Sequence, residues 1–458
     1  MKYHQLTINN AKDLIFGSAP FPVKTRRGLI IGDGTVYPEL NFTLSTMKVD
    51  TSTLKEIRKQ YQGIIKDAIE HAIHLHSMGV IFEFETLIEM TKEPEIGIEL
   101  IKSMNEICEE YYIRKGFKSE IRLTPNDLRE FERPPRQRTS PLLNKMIELF
   151  DRGSEVGGDL LSIESTGGKE ISDQALMMCD IKEFIYSQAV LGVRDMHMLW
   201  KNIVDIARRH NRIAGGDTAC GFGNTAMVLA EKGYIPKIFA AVARVATIVR
   251  TLIAVEEGAT GPDKDCGYEG PYLKAIAGIP ISMEGKSSTC AHFSPLGNVA
   301  GACADLWSNE SVQNIKLLAG YAPTSYLELL EYDSRMFNQA IKYGREHIHM
   351  LQEILVESDI HLDPQALVLA PENVINIARE IVKGRTYIEA TVNGVRKALD
   401  LIEDSLNTGQ LILSENEIPW ISTIRNDLEH IPLEESEFTE MILPLFESNK
   451  IILSEYGL

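Results

Sequence analysis

The 458-residue chain is short of cysteine, of basic surplus and of unbroken apolar runs. Its six cysteines (Cys108, Cys179, Cys220, Cys266, Cys290 and Cys303) form no CxxC pair and are too sparse for a disulfide framework. The first twenty residues lack the continuous apolar core of a secretory signal. A cytoplasmic protein with reduced thiols is therefore expected, and those thiols are available as metal ligands. The longest apolar stretch, Ile238 to Val255, is interrupted by Arg244 and Arg250 and reads as a buried helix rather than a membrane span. Lys and Arg number 47 against 65 Asp and Glu, a net charge of −18 that repels nucleic acid. The sharpest basic cluster, Arg133 to Arg138, is too short to reverse that field.

What remains is ordinary globular composition, 44% hydrophobic and 24% charged, without repeats or low-complexity tracts. At about 100–200 residues per domain, the length suits one large domain with an appendage, or two to three domains.

Apolar periodicity alternates between helix and strand. Residues 1–50 read as turns and short extended runs, with a hairpin at Gly28 to Gly34 and a short strand at Leu40 to Leu44. Strand patterns follow at Val80–Glu85, Ser119–Leu123, Asp159–Glu164, Arg212–Asp217, Pro280–Glu284 and Lys316–Gly320. Helical patterns separate them, the clearest opening at Ser140-Pro141. Such alternation implies βα units around a parallel sheet. Gly-rich and polar segments recur just after strands, where a barrel builds its active site, so the favoured fold is a (β/α)8 barrel. The sequence places six to seven strands; the eighth has no clear pattern. The expected division is a strand-rich segment at 1–50, a barrel core at 51–355 and a helical extension at 356–458.

Three candidate ligands stand at strand ends. Glu164 precedes Ser165-Thr166-Gly167-Gly168, Cys220 follows Gly215-Gly216-Asp217-Thr218-Ala219, and Cys266 lies in Gly261 to Gly267. Barrel strand ends converge, so these distant residues can meet. Two thiolates and a carboxylate suit Zn2+, and three protein ligands leave a fourth position open. The competing explanation is buried cysteines packing as small hydrophobes beside a Glu paired with an Arg. Cys290 and His292, two apart in one loop, form a rival ligand pair. His71 and His74 share a helix face and read as half-buried polar residues. Gly221-Phe-Gly223-Asn-Thr-Ala226 has the shape of a dinucleotide fingerprint but lacks the acidic ribose partner near position 246.

The stretches LSIESTGGKE, GGDTACGFGNTAMVLA, TGPDKDCGYEGPYLKAI and PISMEGKSSTCAHFSPLGNVAGACADLWSNESV resemble the methanol-specific methyltransferase subunit of methanol:corrinoid methyltransferase systems. The resemblance spans essentially the whole chain. It implies a zinc enzyme on a barrel, with one ion per chain held by Glu164, Cys220 and Cys266. It implies that Cys290 and His292 are not ligands. The reaction implied moves the methyl group of methanol to a Co(I) corrinoid carried by a small partner protein, within a larger complex built on a homodimer.

Hydroxide is a poor leaving group, so the reaction needs a Lewis acid on the oxygen and a source or keeper of its proton. Asp217, Asp263, Asp265 and His292 are near enough in sequence for the proton, with Asp217 and His292 the chosen catalytic candidates. Glycines 167, 168, 221 and 223 are the candidates for close approach of the corrinoid. The alternatives are a sister enzyme using another alcohol or a methoxy donor, a non-catalytic metal-binding scaffold for a corrinoid protein, and a zinc hydrolase. The last would need a general base and, typically, more His ligands than this chain offers.

Overall fold

In the computed structural model, residues 1–44, 47–264, 266–286, 296–318, 320–446 and 450–458 are described. Among them, seven parallel strands form one curved ladder. Tyr37–Thr43 pairs with Val80–Glu85, which pairs with Ser119–Thr124, then Leu160–Ile163, then Ile213–Asp217. On its other edge Tyr37–Thr43 pairs with Leu306–Ser308, which pairs with Ser282–Glu284.

The gap between Ile213–Asp217 and Ser282–Glu284 is filled by residues 260–263. Thr260 N–H donates to Ala214 C=O (2.8 Å) and Gly261 N–H to Gly215 C=O (3.0 Å). From the other side Asp263 Oδ1 accepts the Ser282 N–H at 2.9 Å. This irregular stave completes the (β/α)8 barrel. It has no strand signature because Thr260-Gly-Pro-Asp263 has no alternating apolar residues, and Pro262 cannot donate to a ladder.

Two strand assignments need correction. Lys316–Leu317 and Gly320–Tyr321 pair antiparallel with each other and are not a barrel stave. The last stave is Leu306–Ser308, which begins where the apolar run Val299 to Leu306 ends. The Tyr37–Thr43 strand lies within residues 1–50 yet is a stave of the barrel. Ahead of it, Ile30–Asp33 pairs back to Ser18–Lys24 as an antiparallel hairpin.

The barrel interior changes character along its axis, following the period-2 alternation of strand side chains. Its floor is apolar, where Ile81, Tyr37, Leu160 and Leu306 pack with Leu29 and Ile31 of the hairpin. One layer up, Arg122 is fully buried and forks onto Glu39 (2.5 and 3.2 Å), while donating to Ser162 Oγ (2.8 Å) and Pro262 C=O (3.0 Å). Ser282 Oγ donates to the same Glu39 at 2.5 Å. The pair thus ties five staves together from inside. Above it stand Glu83, Glu164, Lys264 and Glu284.

Helix Lys237–Glu257 is long and apolar enough to cross a bilayer (mean hydropathy 2.0), but that apolar window is entirely buried. It packs between Cys220–Glu231, Val193–Arg209 and Tyr387–Asn407, the last from the helical region that follows the barrel.

Removing Arg122 strands a buried carboxylate. Arg122→Met is expected to destabilise the fold by about 3–5 kcal/mol in urea titrations, and adding Glu39→Gln should recover most of the loss.

Candidate metal centre

Glu164 follows the Leu160–Ile163 strand, Cys220 opens helix Cys220–Glu231, and Cys266 follows the irregular stave. One donor atom from each lies within 4.8 Å of the others. Cys266 Sγ is 3.3 Å from Glu164 Oε1, and Asn224 Nδ2 donates to Cys220 Sγ at 3.5 Å. Cys266 is buried, whereas the Glu164 side chain keeps 32% of its exposure, so the cluster has one wet side. Two sulfurs and one carboxylate oxygen at this separation fit a small divalent cation of tetrahedral preference.

The electrostatics agree with that fit. A hydrogen bond from Cys266 pulls the Cys220 thiol down, but burial and the carboxylates of Glu164 and Glu284 leave it raised to about 11. The hydrogen bond to Cys220, then burial, drives the Cys266 thiol well above its ordinary value. Such thiols do not ionise alone at neutral pH; a cation must displace their protons. The N-terminus of a twelve-residue helix at Cys220 favours the resulting thiolate.

The donor loops are held from behind by buried charge. Arg250, in the long apolar helix, donates to Ser165 Oγ (2.8 Å), Ser165 C=O (3.3 Å) and Gly167 C=O (3.1 Å). Arg244 in the same helix donates to Gly267 C=O, next to Cys266, at 2.7 Å. Glu269 accepts the Ala219 N–H, next to Cys220, at 3.0 Å. Asp127 accepts the Thr166 N–H at 2.9 Å. Sequence reasoning missed these buttresses. Arg244 and Arg250 were visible as charges inside an apolar run, a signal that they have buried partners.

Asp217 is fully buried. Its carboxylate accepts from Ser165 N–H (3.1 Å) and Ser165 Oγ (2.6 Å). Burial pushes it up to about 8, against the pull of Arg250 and Ser165. It therefore holds the Glu164 turn. His292 and Cys290 lie outside the described residues, as does Asp265.

Of the four glycines, 167, 168 and 223 are buried and only Gly221 keeps exposed surface. A Cβ on Gly167 would meet Asp195 Oδ2 at 2.4 Å, and Gly168 has φ +85°. Close approach at those two positions is with the protein's own interior. Gly168 N–H donates to Tyr456 Oη (2.9 Å), which in turn donates to Glu170 Oε1 (3.0 Å), so residue 456 is fastened onto the Glu164 loop.

The sequence profile of the family described as methanol-cobalamin methyltransferase B subunit matches residues 1–457. The chain belongs to that family. A methanol–corrinoid protein co-methyltransferase of Methanosarcina barkeri (strain Fusaro) is 35% identical over 454 residues, covering 98% of this chain and 96% of the relative. The crystal structure of the methanol:cobalamin methyltransferase complex MtaBC from Methanosarcina barkeri contains a chain that superposes with a TM-score of 0.94 at 33% identity. The match covers 100% of this chain and 99% of that one. The family assignment thus extends over the barrel, the three donor loops and the helices that follow.

Two measurements test the site. Because both thiols are protonated at neutral pH, binding of a divalent cation near pH 7 should release about two protons, measured by calorimetry in buffers of different ionisation enthalpy. Affinity should rise with pH. Asp217, with its proton held more tightly in the folded protein, should cost stability as pH climbs from 3.8 towards about 8. Asp217→Asn, which mimics the protonated acid, should flatten that decline in urea titrations.

Proposed function

We propose that this chain transfers the methyl group of methanol to the Co(I) corrinoid of a small partner corrinoid protein, using a zinc ion held by Glu164, Cys220 and Cys266. The observation that carries the reading is the convergence of those three donors at the barrel mouth, their atoms within 4.8 Å, in a chain of this family. When bound, zinc supplies Lewis acidity to an alcohol oxygen as its bond to carbon breaks.

The chain's own residues do the rest. Arg244, Arg250, Glu269 and Asp127 fix the backbone of the three donor loops, so the Cα positions of the donors are set in advance. Asp217 acts through Ser165, keeping the turn after Glu164 closed, and is in this sense a positioning residue. His292 is our candidate for the group that keeps or returns the proton of the leaving oxygen. The half-exposed backbone at Gly221, at the start of the helix that carries Cys220, is our candidate for approach of the partner's cofactor. Exclusion of water from the buried side of the site strengthens each of these interactions. Self-association as a homodimer within a larger, cytoplasmic complex belongs to the same reading, and light scattering of the purified chain measures it.

The purified protein should bind about one zinc per chain, and Cys220→Ala or Cys266→Ala should lose both metal and activity. Full zinc retention by both variants contradicts the ligand assignment. The deciding assay incubates enzyme with free cob(I)alamin and follows methylcobalamin absorbance with methanol, ethanol or methoxyarenes. Turnover is expected with methanol; turnover with a methoxyarene alone would move the assignment to a different donor, and none with any donor, even with the corrinoid protein present, would leave a scaffold.

A further inference from the structure

The Glu164 carboxylate sits at the end of a flexible side chain that is one-third exposed (32%), and such a side chain has several staggered conformers open to it. Its neighbour in the barrel mouth is Lys264, two positions before Cys266 and 3% exposed. Lys264 Nζ is 3.4 Å from Glu164 Oε1 and 3.0 Å from Glu83 Oε1. Glu83 is itself buried, and its Oε1 accepts a hydrogen bond from Thr124 Oγ1 at 2.8 Å. A line of contacts therefore crosses the mouth from the Ser119–Thr124 stave through Glu83 and Lys264 to Glu164. Among the described residues, Lys264 is the one cation within ion-pair distance of Glu164.

We infer that Lys264 is a positioning residue that orients the Glu164 carboxylate and balances its charge at the metal centre, an inference that rests on the zinc reading above. Two physical consequences follow from the contact. An ammonium anchored by Glu83 selects the Glu164 conformer whose Oε1 lies 3.3 Å from Cys266 Sγ, so the carboxylate is organised before an ion arrives. The same ammonium draws electron density from the carboxylate. Two thiolates and a carboxylate leave one net negative charge on a divalent ion, and Lys264 offsets it, which preserves the ion's pull on an oxygen donor. The opposing explanation is that Lys264 does no more than neutralise the buried Glu83.

Lys264→Met alone removes a cation 3.0 Å from the buried Glu83 and so changes the net charge of the mouth; it is therefore paired with the double variant Glu83→Gln/Lys264→Met, which removes both charges together. Folding is checked by circular dichroism and Tm. Zinc affinity is measured by competition with a chromophoric chelator, and the cobalt(II)-substituted proteins are compared by their visible d–d bands. Zinc should bind about 10–100-fold more weakly to the folded double variant, whose mouth keeps the same net charge, and its cobalt bands should lose intensity as the freed carboxylate raises the coordination number. Native cobalt bands with zinc affinity within about twofold of the unmodified protein in the folded double variant would overturn the inference and leave Lys264 as the counter-ion of Glu83. Failure of the unmodified protein to bind zinc would overturn both this inference and the metal reading.

Discussion

The molecule depends on bringing three electron-rich side chains together at one end of a barrel and preventing them from springing apart. Glu164, Cys220 and Cys266 come from different staves and repel one another once ionised. The opposing force comes largely from outside the barrel wall. Helix Lys237–Glu257 sends two buried arginines inward, one to the Glu164 loop and one to the Cys266 loop. Glu269, which also accepts from Thr247 of the same helix at 3.1 Å, fastens the Cys220 loop. A buried guanidinium is tolerated only where its donors are met by carbonyls and carboxylates. The loops are thus held because the arginines need them, as much as the reverse. An apolar helix carrying charges at two chosen points fixes two of the three donor loops at once.

The barrel's axial gradient serves the same end. Apolar residues at the floor supply cohesion, and the Arg122–Glu39 fork in the middle ties staves together without filling the mouth. The polar mouth contributes little hydrophobic stabilisation. Its groups stay only because deeper layers and the surrounding helices stabilise the whole. Chemistry at the top and stability at the bottom is the usual separation in this architecture.

Much of this was legible in the sequence, and the failures have physical causes. Glu164 and Cys220 were identifiable because each follows a strand pattern beside small residues, and Cys266 because it stands in a Gly-rich segment. Six of the seven ladder strands carried a strand pattern, the first of them as Leu40 to Leu44. The closing stave was not, because Thr260-Gly-Pro-Asp263 pairs through two backbone hydrogen bonds and an Asp263 side chain instead of a regular ladder. Lys316–Gly320 looked like a strand by composition but forms a small antiparallel pair of its own, while Leu306–Ser308, only three residues long, carries no alternation to detect. The buttresses were beyond reach because Arg250 and Ser165 lie 85 positions apart and nothing local links them. Asp217 drew notice for its place before Cys220, yet its partner is a serine of the neighbouring loop.

The tie between Tyr456 and Gly168 bridges 288 positions of chain. During synthesis the Glu164 loop emerges early, with its Gly168 amide still bonded to water. It acquires its last fixed partner only after residue 456 has left the ribosome. The order of biogenesis is therefore set by topology: the pocket matures only once residue 456 is in place, and a chain interrupted before that point carries every donor but lacks the latch that stiffens one of them.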